Sequence, residues 1–322
     1  MNKEEIICYL GPKWVRVKEI MRETLRSDVS LLSSLNESVM SNSGKMLRPM
    51  ISLLVSHALG TPGEDSLRFA VAAELLHNAT LMHDDVADES AERRGKPTLY
   101  SLLGPTAAVL VGDFWLSRTV ELVYKCECRS EAVQLFTRTM SDLSEGEMLQ
   151  MQKAGTADTG EDDYFRIIYG KTASLFVAAA VSAAYSVDAP DNLRAAVGKY
   201  ARCLGIAFQI KDDILDYSGT PELGKPVGID ILEQKITLPL LGALKDSPRE
   251  AEIRAMVREI GNHPENVTAV RQFVIDEGGI GYAEARLEEY VEDAVRALDP
   301  VPDSFAKEAL KDLARYNSAR NV

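Results

Sequence analysis

The sequence predicts an all-α protein, and three features of its 322 residues support this fold class. Apolar residues recur at helical spacing, for example in 64-EDSLRFAVAAELLHNATLMHDD and 104-GPTAAVLVGDFWLSRTVELVYK. Longer stretches that alternate between apolar and polar residues, the pattern of a half-buried strand, are scarce. The Ala-rich run 172-TASLFVAAAVSAAY has small side chains on every face, which is typical of a helix surrounded by other helices.

The breaks between these runs are short, which favours a single domain over residues 1–322. Turns are predicted at 41–44, 90–98 and 153–160, and none has the composition of a flexible linker between domains. The longer segment 218-SGTPELGKPVGID mixes Gly and Pro with charged residues and is interpreted as a functional loop. Because helices average about 11 to 12 residues, we expect a bundle of roughly ten or more.

Charge and cysteine usage exclude some classes of protein. The 36 Lys and Arg against 49 Asp and Glu leave a net charge of −13, which argues against a nucleic-acid partner. The four cysteines lack zinc-knuckle spacing, so we expect reduced thiols. The N-terminus does not resemble a signal peptide, and no window has about 18 uninterrupted apolar residues. We therefore expect a cytoplasmic protein, with loose membrane contact if its product is a lipid.

Two copies of the motif DDxxD carry the chemistry. The first contains Asp84, Asp85 and Asp88, and the second contains Asp212, Asp213 and Asp216. Carboxylates four residues apart share a helix face and repel each other by about 0.2–0.5 kcal/mol per pair, so a cation should compensate. Oxygen ligands without His or Cys favour Mg²⁺. One copy alone could be a solvated helix end, but two copies favour metal sites that hold several ions on a diphosphate.

Cationic residues accompany both motifs in Gly-containing turns, as expected of a site for a metal-complexed anion. They are Lys45, Arg48, Arg93, Arg94, Lys171, Lys225 and Lys235. Each of them alone could be an ordinary surface charge. His77 lies two helical turns before Asp84, on nearly the same face, where it could bind phosphate or serve as a structural histidine.

With these motifs the sequence resembles the trans (E-type) polyprenyl diphosphate synthase family, and in particular its long-chain bacterial octaprenyl diphosphate synthases. The matching segments, in family order, are 43-SGKMLRP, 74-ELLHNATLMHDDVADESAERRGKPT, 111-VGDFWLSR, 145-EGEMLQ, 170-GKTASLF, 205-GIAFQIKDDILDYSG, 224-GKPVGID and 235-KITLPL. The first segment lacks one Gly and one Arg of the family's usual GGKRxRP. The resemblance implies a helical bundle around a central cavity of the isoprenoid synthase type.

The resemblance also implies substrates and roles. Isopentenyl diphosphate would bind Lys45, Arg48, His77 and Arg94, and Arg93 would contact the allylic diphosphate. The departing diphosphate would be held by Lys171, Thr172, Gln209, Lys225 and Lys235. The metal ligands would be Asp84, Asp85, Asp88, Asp212 and Asp216. Asp84, Asp212, Lys171 and Lys235 would be the catalytic residues, and the protein would be a homodimer with 104-GPTAAVLVGDFWLSRTVEL in its interface.

Product length is predicted from the helix before the first motif. A helical turn rises about 5.4 Å, comparable with one extended isoprene unit, so each turn acts as a ruler mark for a growing tail. Ala79 and Thr80 at the first mark are too small to block the tail, which together with the resemblance favours a C40 product. A medium-chain farnesyl or geranylgeranyl synthase and a non-catalytic partner subunit remain alternatives. A terpene cyclase would not need the site for a second diphosphate.

Overall fold

The structure, a computed structural model, describes residues 2–42, 44–218 and 228–319. Fifteen α-helices, one π-helical turn and a two-stranded hairpin make up these residues, so the all-α prediction is confirmed. The elements are α1 Lys3–Thr24, α2 Ser30–Ser41, α3 Leu47–Leu59, α4 Glu64–Ala87, β1 Glu92–Arg93, β2 Lys96–Pro97, α5 Leu99–Tyr124, α6 Arg129–Thr156, α7 Glu161–Ile168, the π turn Tyr169–Ala173, α8 Ser174–Tyr185, α9 Asp191–Ser218, α10 Ile229–Leu232, α11 Leu238–Leu244, α12 Glu250–Arg258, α13 Asn266–Asp276, α14 Gly279–Ala297 and α15 Phe305–Ala319.

The described residues group into two compact units. The first takes its described residues from Met1–Thr137, Ala178–Val197 and Pro300–Leu310. The second takes them from Arg138–Val177, Gly198–Asp299 and Lys311–Val322. Organisation as one domain stays a prediction. All four cysteines are free thiols, as expected.

Helix α4 is the centre of the first unit and packs against α1, α3 and α5. Side chains on different faces of α4 are buried, among them Phe69 at 0% exposure and Ala79 at 1%. This burial explains why the helix has apolar residues around its whole circumference. At Gly112 of α5, an added Cβ would lie 2.4 Å from Nε2 of His83, so glycine allows close approach of α5 to α4. Asn36 links α2 to this core, since it accepts a hydrogen bond from Trp115 Nε1 at 2.8 Å.

The segment 90–98, predicted as a turn, forms a small antiparallel hairpin with Arg93 opposite Lys96. Its turn residues Arg94 and Gly95 both have positive φ, of 54° and 70°. Two consecutive positive φ values match the right-handed twist of paired strands. The hairpin leads into α5, whose N-terminus is capped by the Thr98 hydroxyl, which accepts from Ser101 N at 3.0 Å.

The second unit brings α6 and α9 against the π turn through small residues. An added Cβ at Gly170 in the turn would lie 2.5 Å from the Asp142 carbonyl oxygen of α6, and one at Gly146 would lie 3.0 Å from Lys171 N. An added Cβ at Gly205 of α9 would lie 2.5 Å from Ala173 Cα. These glycines let three backbones meet where Lys171 and Thr172 are placed. Single π turns are frequent at functional sites.

Two helical segments are long and apolar enough to cross a membrane by length and composition alone, Leu99–Tyr124 and Glu161–Tyr185. In the second, 78% of the most apolar window is buried, as in a core helix of a soluble protein. In the first only 28% is buried, so α5 has an exposed apolar face.

We predict that Gly170→Ala destabilises the fold, because the new methyl group would overlap a backbone oxygen that cannot rotate away. Overpacking of this kind costs about 1–3 kcal/mol. Gly155→Ala, in α6 and with nothing within 4 Å of an added Cβ, is the control. It should stabilise by about 0.5–1 kcal/mol through helix propensity. Urea unfolding of both variants measures the difference, and equal stabilities would contradict the packing described.

Candidate active site

The first acidic motif ends α4. Asp88 N donates to the Asp84 carbonyl at 2.8 Å, so Asp84 and Asp88 lie one turn apart on the same helix face. Asp84 is half-buried and Asp88 is exposed. The negative end of the helix dipole is at this terminus and disfavours carboxylates, by about 0.3–1 kcal/mol each. A bound cation would offset both the unfavourable interaction of the carboxylates with the dipole and their mutual repulsion.

Asp85 has a different environment from its neighbours in the motif. It is only 6% exposed, and Arg93 Nε of the hairpin donates to its Oδ1 at 2.7 Å. Burial raises the pKa of Asp85, an effect that Arg93 opposes. In this structure Asp85 therefore holds the Arg93 side chain in place through this hydrogen bond. The role of Asp85 as a metal ligand and the role of Arg93 at the allylic diphosphate stay predictions.

The hairpin tip places Arg94 against the segment before α3. Arg94 Nη1 donates to the Asn42 carbonyl at 3.2 Å. An added Cβ at Gly44 would lie 2.5 Å from the guanidinium carbon of Arg94, so glycine leaves room for the present position of this side chain. Lys45, next along the chain, is exposed.

A cationic cluster surrounds His77 on α4. Burial lowers the pKa of His77 well below its usual value, and the positive charges of Arg48 and Arg94 lower it further. The imidazole is therefore neutral at pH 7 and can still donate one hydrogen bond to a phosphate oxygen. Burial also lowers the pKa of Arg48 to about 10, against the opposing charge of Glu74. Arg48, His77 and Arg94 thus lie near one another in the first unit, and their role at isopentenyl diphosphate stays a prediction.

Glu74 is the counter-charge of this cluster. It is 3% exposed, and its side chain accepts from Asn78 Nδ2 at 3.3 Å. Burial raises the pKa of Glu74, whereas Arg48 and the Asn78 hydrogen bond lower it. A buried acid beside arginines keeps their guanidinium groups charged and positioned before an anion arrives.

The second acidic motif ends α9, and donors of the second unit hold Asp213 and Asp216. Asp216 accepts from the backbone N–H groups of Ile229 and Asp230, both at 3.1 Å. Asp213 is 3% exposed and accepts from Tyr164 Oη at 2.6 Å and from Gln209 Nε2 at 2.9 Å. Asp212 is half-buried.

Lys171 and Lys235, two of the lysines predicted for the departing diphosphate, are paired with carboxylates. Lys171 Nζ in the π turn lies 2.6 Å from Glu147 Oε2 of α6. Lys235 is paired with Glu233. Both lysines line a cavity of about 140 Å³, together with Tyr164, Gln209 and Asp230. An anion of higher charge than a single carboxylate could compete for these ammonium groups.

Thr172 and Gln209 are hydrogen-bonded to each other. The Thr172 hydroxyl donates to Gln209 Oε1 at 2.8 Å. A hydroxyl has one proton, so in this arrangement Thr172 has none left for a phosphate oxygen. Its role at the diphosphate stays a prediction. Lys225 lies outside the described residues.

Ala79 and Thr80, the two residues of the first ruler mark, lie on α4. Ala79 is 1% exposed. The Thr80 hydroxyl donates to the His77 carbonyl at 2.8 Å, a bond within the helix that leaves only its methyl group to project further.

The residues of the first acidic motif fit a magnesium site in which substrate and water supply the remaining ligands. Among the described residues, no group of three or more His, Cys, Asp and Glu side chains is arranged to hold a metal ion. Mg²⁺ commonly binds through one or two carboxylates together with substrate phosphates and water, so a complete protein cage is not expected. Asp84 and Asp88, which share a face and offer only oxygen, match that mode.

The structure adds several residues that sequence reasoning did not assign to the site, namely Glu74, Glu147, Tyr164 and Asp230. It also shows that Asp213 of the second motif is held by hydrogen bonds from protein donors. Burial raises the pKa of Asp230 to about 7. Glu74 could have been found, because an acidic residue inside an otherwise apolar helical run requires a buried partner. Glu147 lies in the matching segment 145-EGEMLQ, whereas Tyr164 had no comparable signal, since its partner Asp213 lies 49 positions along the chain.

Known proteins resemble this chain over its whole length. A family model described as Polyprenyl synthetase matches residues 29–275. The octaprenyl diphosphate synthase of Haemophilus influenzae is 37% identical over 325 residues, spanning 100% of this chain and 98% of that protein. A crystal structure of a decaprenyl diphosphate synthase from Rhodobacter capsulatus has a TM-score of 0.92 and 32% identity, with 100% of both chains covered. A polyprenyl synthase from Caulobacter crescentus CB15, complexed with calcium and isoprenyl diphosphate, has a TM-score of 0.90 and 33% identity, with 100% of this chain and 98% of that one covered.

Proposed function

The chain belongs to the polyprenyl synthetase family and is a long-chain trans-prenyltransferase, and we propose that it condenses isopentenyl diphosphate with an allylic diphosphate at the residues described above. The observation that carries this proposal is the combination of two acidic motifs at helix ends with a separate cationic cluster around a neutral imidazole. The acidic motifs suit a metal-complexed diphosphate, and the cluster suits a second diphosphate that needs no metal.

Isopentenyl diphosphate binds the cationic cluster in this proposal. Arg48 and Arg94 supply charge-assisted hydrogen bonds, which are worth roughly 1.5–3 kcal/mol each. His77 donates from its neutral ring, and exposed Lys45 adds a flexible charge. Glu74 holds the cluster together in the absence of substrate. Because these groups bind the diphosphate, the alkene end of the substrate is left for reaction.

Asp84, Asp88 and Asp212 hold Mg²⁺ in this proposal, with Asp85 and Asp216 completing the acidic walls. Several ions are needed, since a diphosphate offers more charge than one cation neutralises. When bound there, Mg²⁺ would supply Lewis acidity, which favours ionisation of the allylic carbon–oxygen bond. The calcium reported with the Caulobacter crescentus protein is a hard cation of the same ligand preference.

The chain's own cations receive the departing diphosphate. Lys171 and Lys235 exchange their carboxylate partners Glu147 and Glu233 for the developing charge on the leaving group, together with Lys225. The alkene of isopentenyl diphosphate attacks the allylic cation, a proton is lost from the new cation, and the released diphosphate accepts it. The apolar helices keep water from the cation.

A second copy of the chain covers the apolar face of α5 in this proposal. Leu110 is 62% exposed, Val120 43% and Tyr124 67%, and all three lie on one side of the helical segment that follows the break at Gly104. A self-complementary face of this kind suits a two-fold homodimer. A cytoplasmic location, with loose membrane contact where the lipid product is released, is part of the same proposal.

We predict that Asp84→Ala and Asp212→Ala each lower turnover by about 100-fold or more, because each removes a ligand for Mg²⁺. Folding stability should not fall, since removing one carboxylate relieves repulsion in a crowded motif. Asp28→Ala, at an exposed position between α1 and α2, is the control. Steady-state assays over a magnesium titration measure the effect, and near wild-type turnover in either variant would contradict the metal assignment.

We predict that Ala79→Phe, alone or with Thr80→Phe, shortens the product to about three or four isoprene units, because an aromatic ring closes the first helical ruler mark. The first condensation should continue, since no diphosphate ligand is changed. Ala79→Ser keeps the side chain small and should keep the wild-type length. Product lengths are measured by mass spectrometry, and an unchanged long product from the double variant would mean that the tail does not follow α4.

We predict that Leu110→Glu converts the homodimer to monomer, because it places a charge in the centre of an apolar contact. Val15→Glu, which changes a residue that is 57% exposed on α1, is the control and should leave the dimer intact. Light scattering gives the molar mass of each. A wild-type protein that is monomeric, or a dimeric Leu110→Glu variant, would count against this interface.

A further inference from the structure

Asp216, the last carboxylate of the second acidic motif, is bound to the chain at residues 228–230 by three hydrogen bonds. Its side-chain oxygens accept from separate donors, Oδ1 from Ile229 N and Oδ2 from Asp230 N, both at 3.1 Å. Its carbonyl oxygen accepts from Gly228 N at 3.0 Å. A carboxyl group has lone pairs on both oxygens whether or not it is ionised, so these contacts do not depend on the charge of Asp216.

The three donors lie at the start of α10, a helix of only four residues. An isolated helix of this length is unstable, and the N–H groups of its first turn have no acceptor within the helix. Successive N–H groups form a concavity that suits an anion, and the Asp216 carboxylate occupies it. Gly228, in the capping position, has no side chain that could do so. Asp216 therefore caps α10 from another helix, α9.

The capped helix leads directly to Lys235. Lys235 N donates to the Asp230 carbonyl oxygen at 2.8 Å, which closes the turn after α10. Gln234, with a positive φ of 58°, is fixed on the other side, since its Nε2 donates to the Arg258 carbonyl oxygen at 2.7 Å. The Lys235 side chain lines the cavity described above. The backbone that carries this lysine is therefore held between α9, through Asp216, and the end of α12, through Gln234.

The same geometry argues against Mg²⁺ at this carboxylate. The N–H groups of Ile229 and Asp230 direct their positive ends at the two side-chain oxygens, so a cation approaching from that side would be repelled. A carboxylate that turned towards a metal ion would leave both N–H groups without their acceptor. The Asp216 side chain is therefore engaged by the protein itself.

We propose that Asp216 is a positioning residue rather than a magnesium ligand, and that it holds the start of α10 so that Lys235 stays at the departing diphosphate. This inference rests on the proposed function, in which Lys235 receives that charge. Asp216 touches neither substrate nor metal in this account. Its effect is exerted through the backbone of α10, and Asp212 of the same motif remains the carboxylate for Mg²⁺.

The first test requires neither turnover nor metal. Hydrogen exchange of the metal-free protein, measured by mass spectrometry, is compared for the wild type, Asp216→Ala and Asp216→Asn. Alanine removes both acceptors and should speed exchange at residues 228–235 about 10-fold or more, whereas asparagine keeps one acceptor and should speed it about 3-fold. Asp212→Asn, one turn earlier in the same motif, is the matched control and should change this exchange less than about two-fold. Unchanged exchange at 228–235 in Asp216→Ala would overturn the inference.

The second test separates positioning from metal binding, through single-turnover rates of one condensation over a magnesium titration. Asp216→Asn should lower the rate at saturating Mg²⁺ about 10-fold, with less than about a two-fold change in the Mg²⁺ concentration for half-maximal rate. Asp212→Asn should raise that concentration about 10-fold or more. An equal rise for Asp216→Asn, or a wild-type rate, would count against positioning. Absence of any condensation by the wild-type protein would instead contradict the proposed function, and hydrogen exchange would still report on the cap, so the two failures are distinguishable.

Discussion

The crowding of carboxylates within each acidic motif, at the C-terminal ends of α4 and α9, is the constraint on which the surroundings of each motif depend. Mutual repulsion and the helix dipole both oppose negative charge at these positions. The protein relieves part of this cost in the same way in both motifs. The second aspartate is buried and bonded by protein donors, Asp85 by Arg93 and Asp213 by Tyr164 and Gln209. Successive helical residues differ in direction by about 100°, so Asp84 and Asp88 lie on another face of α4 from Asp85, where a cation can bind.

The cationic residues are subject to the opposite constraint. A guanidinium group removed from water needs a counter-charge, and Glu74 supplies it to Arg48. The Lys171 ammonium group is paired in the same way with Glu147 before an anion binds. Glycines make these placements possible, since Gly44 admits the Arg94 guanidinium and Gly170 admits α6 to the π turn. Charge pairing and close backbone approach therefore work together in positioning the groups that we propose bind diphosphate.

The fold class and both acidic motifs could be predicted from the sequence, because helical periodicity and short-range spacing are local properties. The burial of Glu74 could have been predicted for the same reason. The pairing of Tyr164 with Asp213, 49 positions along the chain, depends on how α7 packs against α9, which no local pattern specifies. The π turn at Lys171 and the capping of the Ile229 and Asp230 N–H groups by Asp216 likewise arise from tertiary packing. The hairpin at 92–97 escaped notice because two-residue strands have no alternation to detect.

The account is tested most directly by incubating the purified protein with isopentenyl diphosphate and an allylic diphosphate primer, with and without Mg²⁺, and determining product lengths by mass spectrometry. It predicts no elongation after chelation of divalent cations. With Mg²⁺ it predicts successive additions that end at about eight isoprene units, the length made by the octaprenyl diphosphate synthase relatives. Elongation that is unaffected by chelation, or no elongation with Mg²⁺ and any allylic primer, would contradict it.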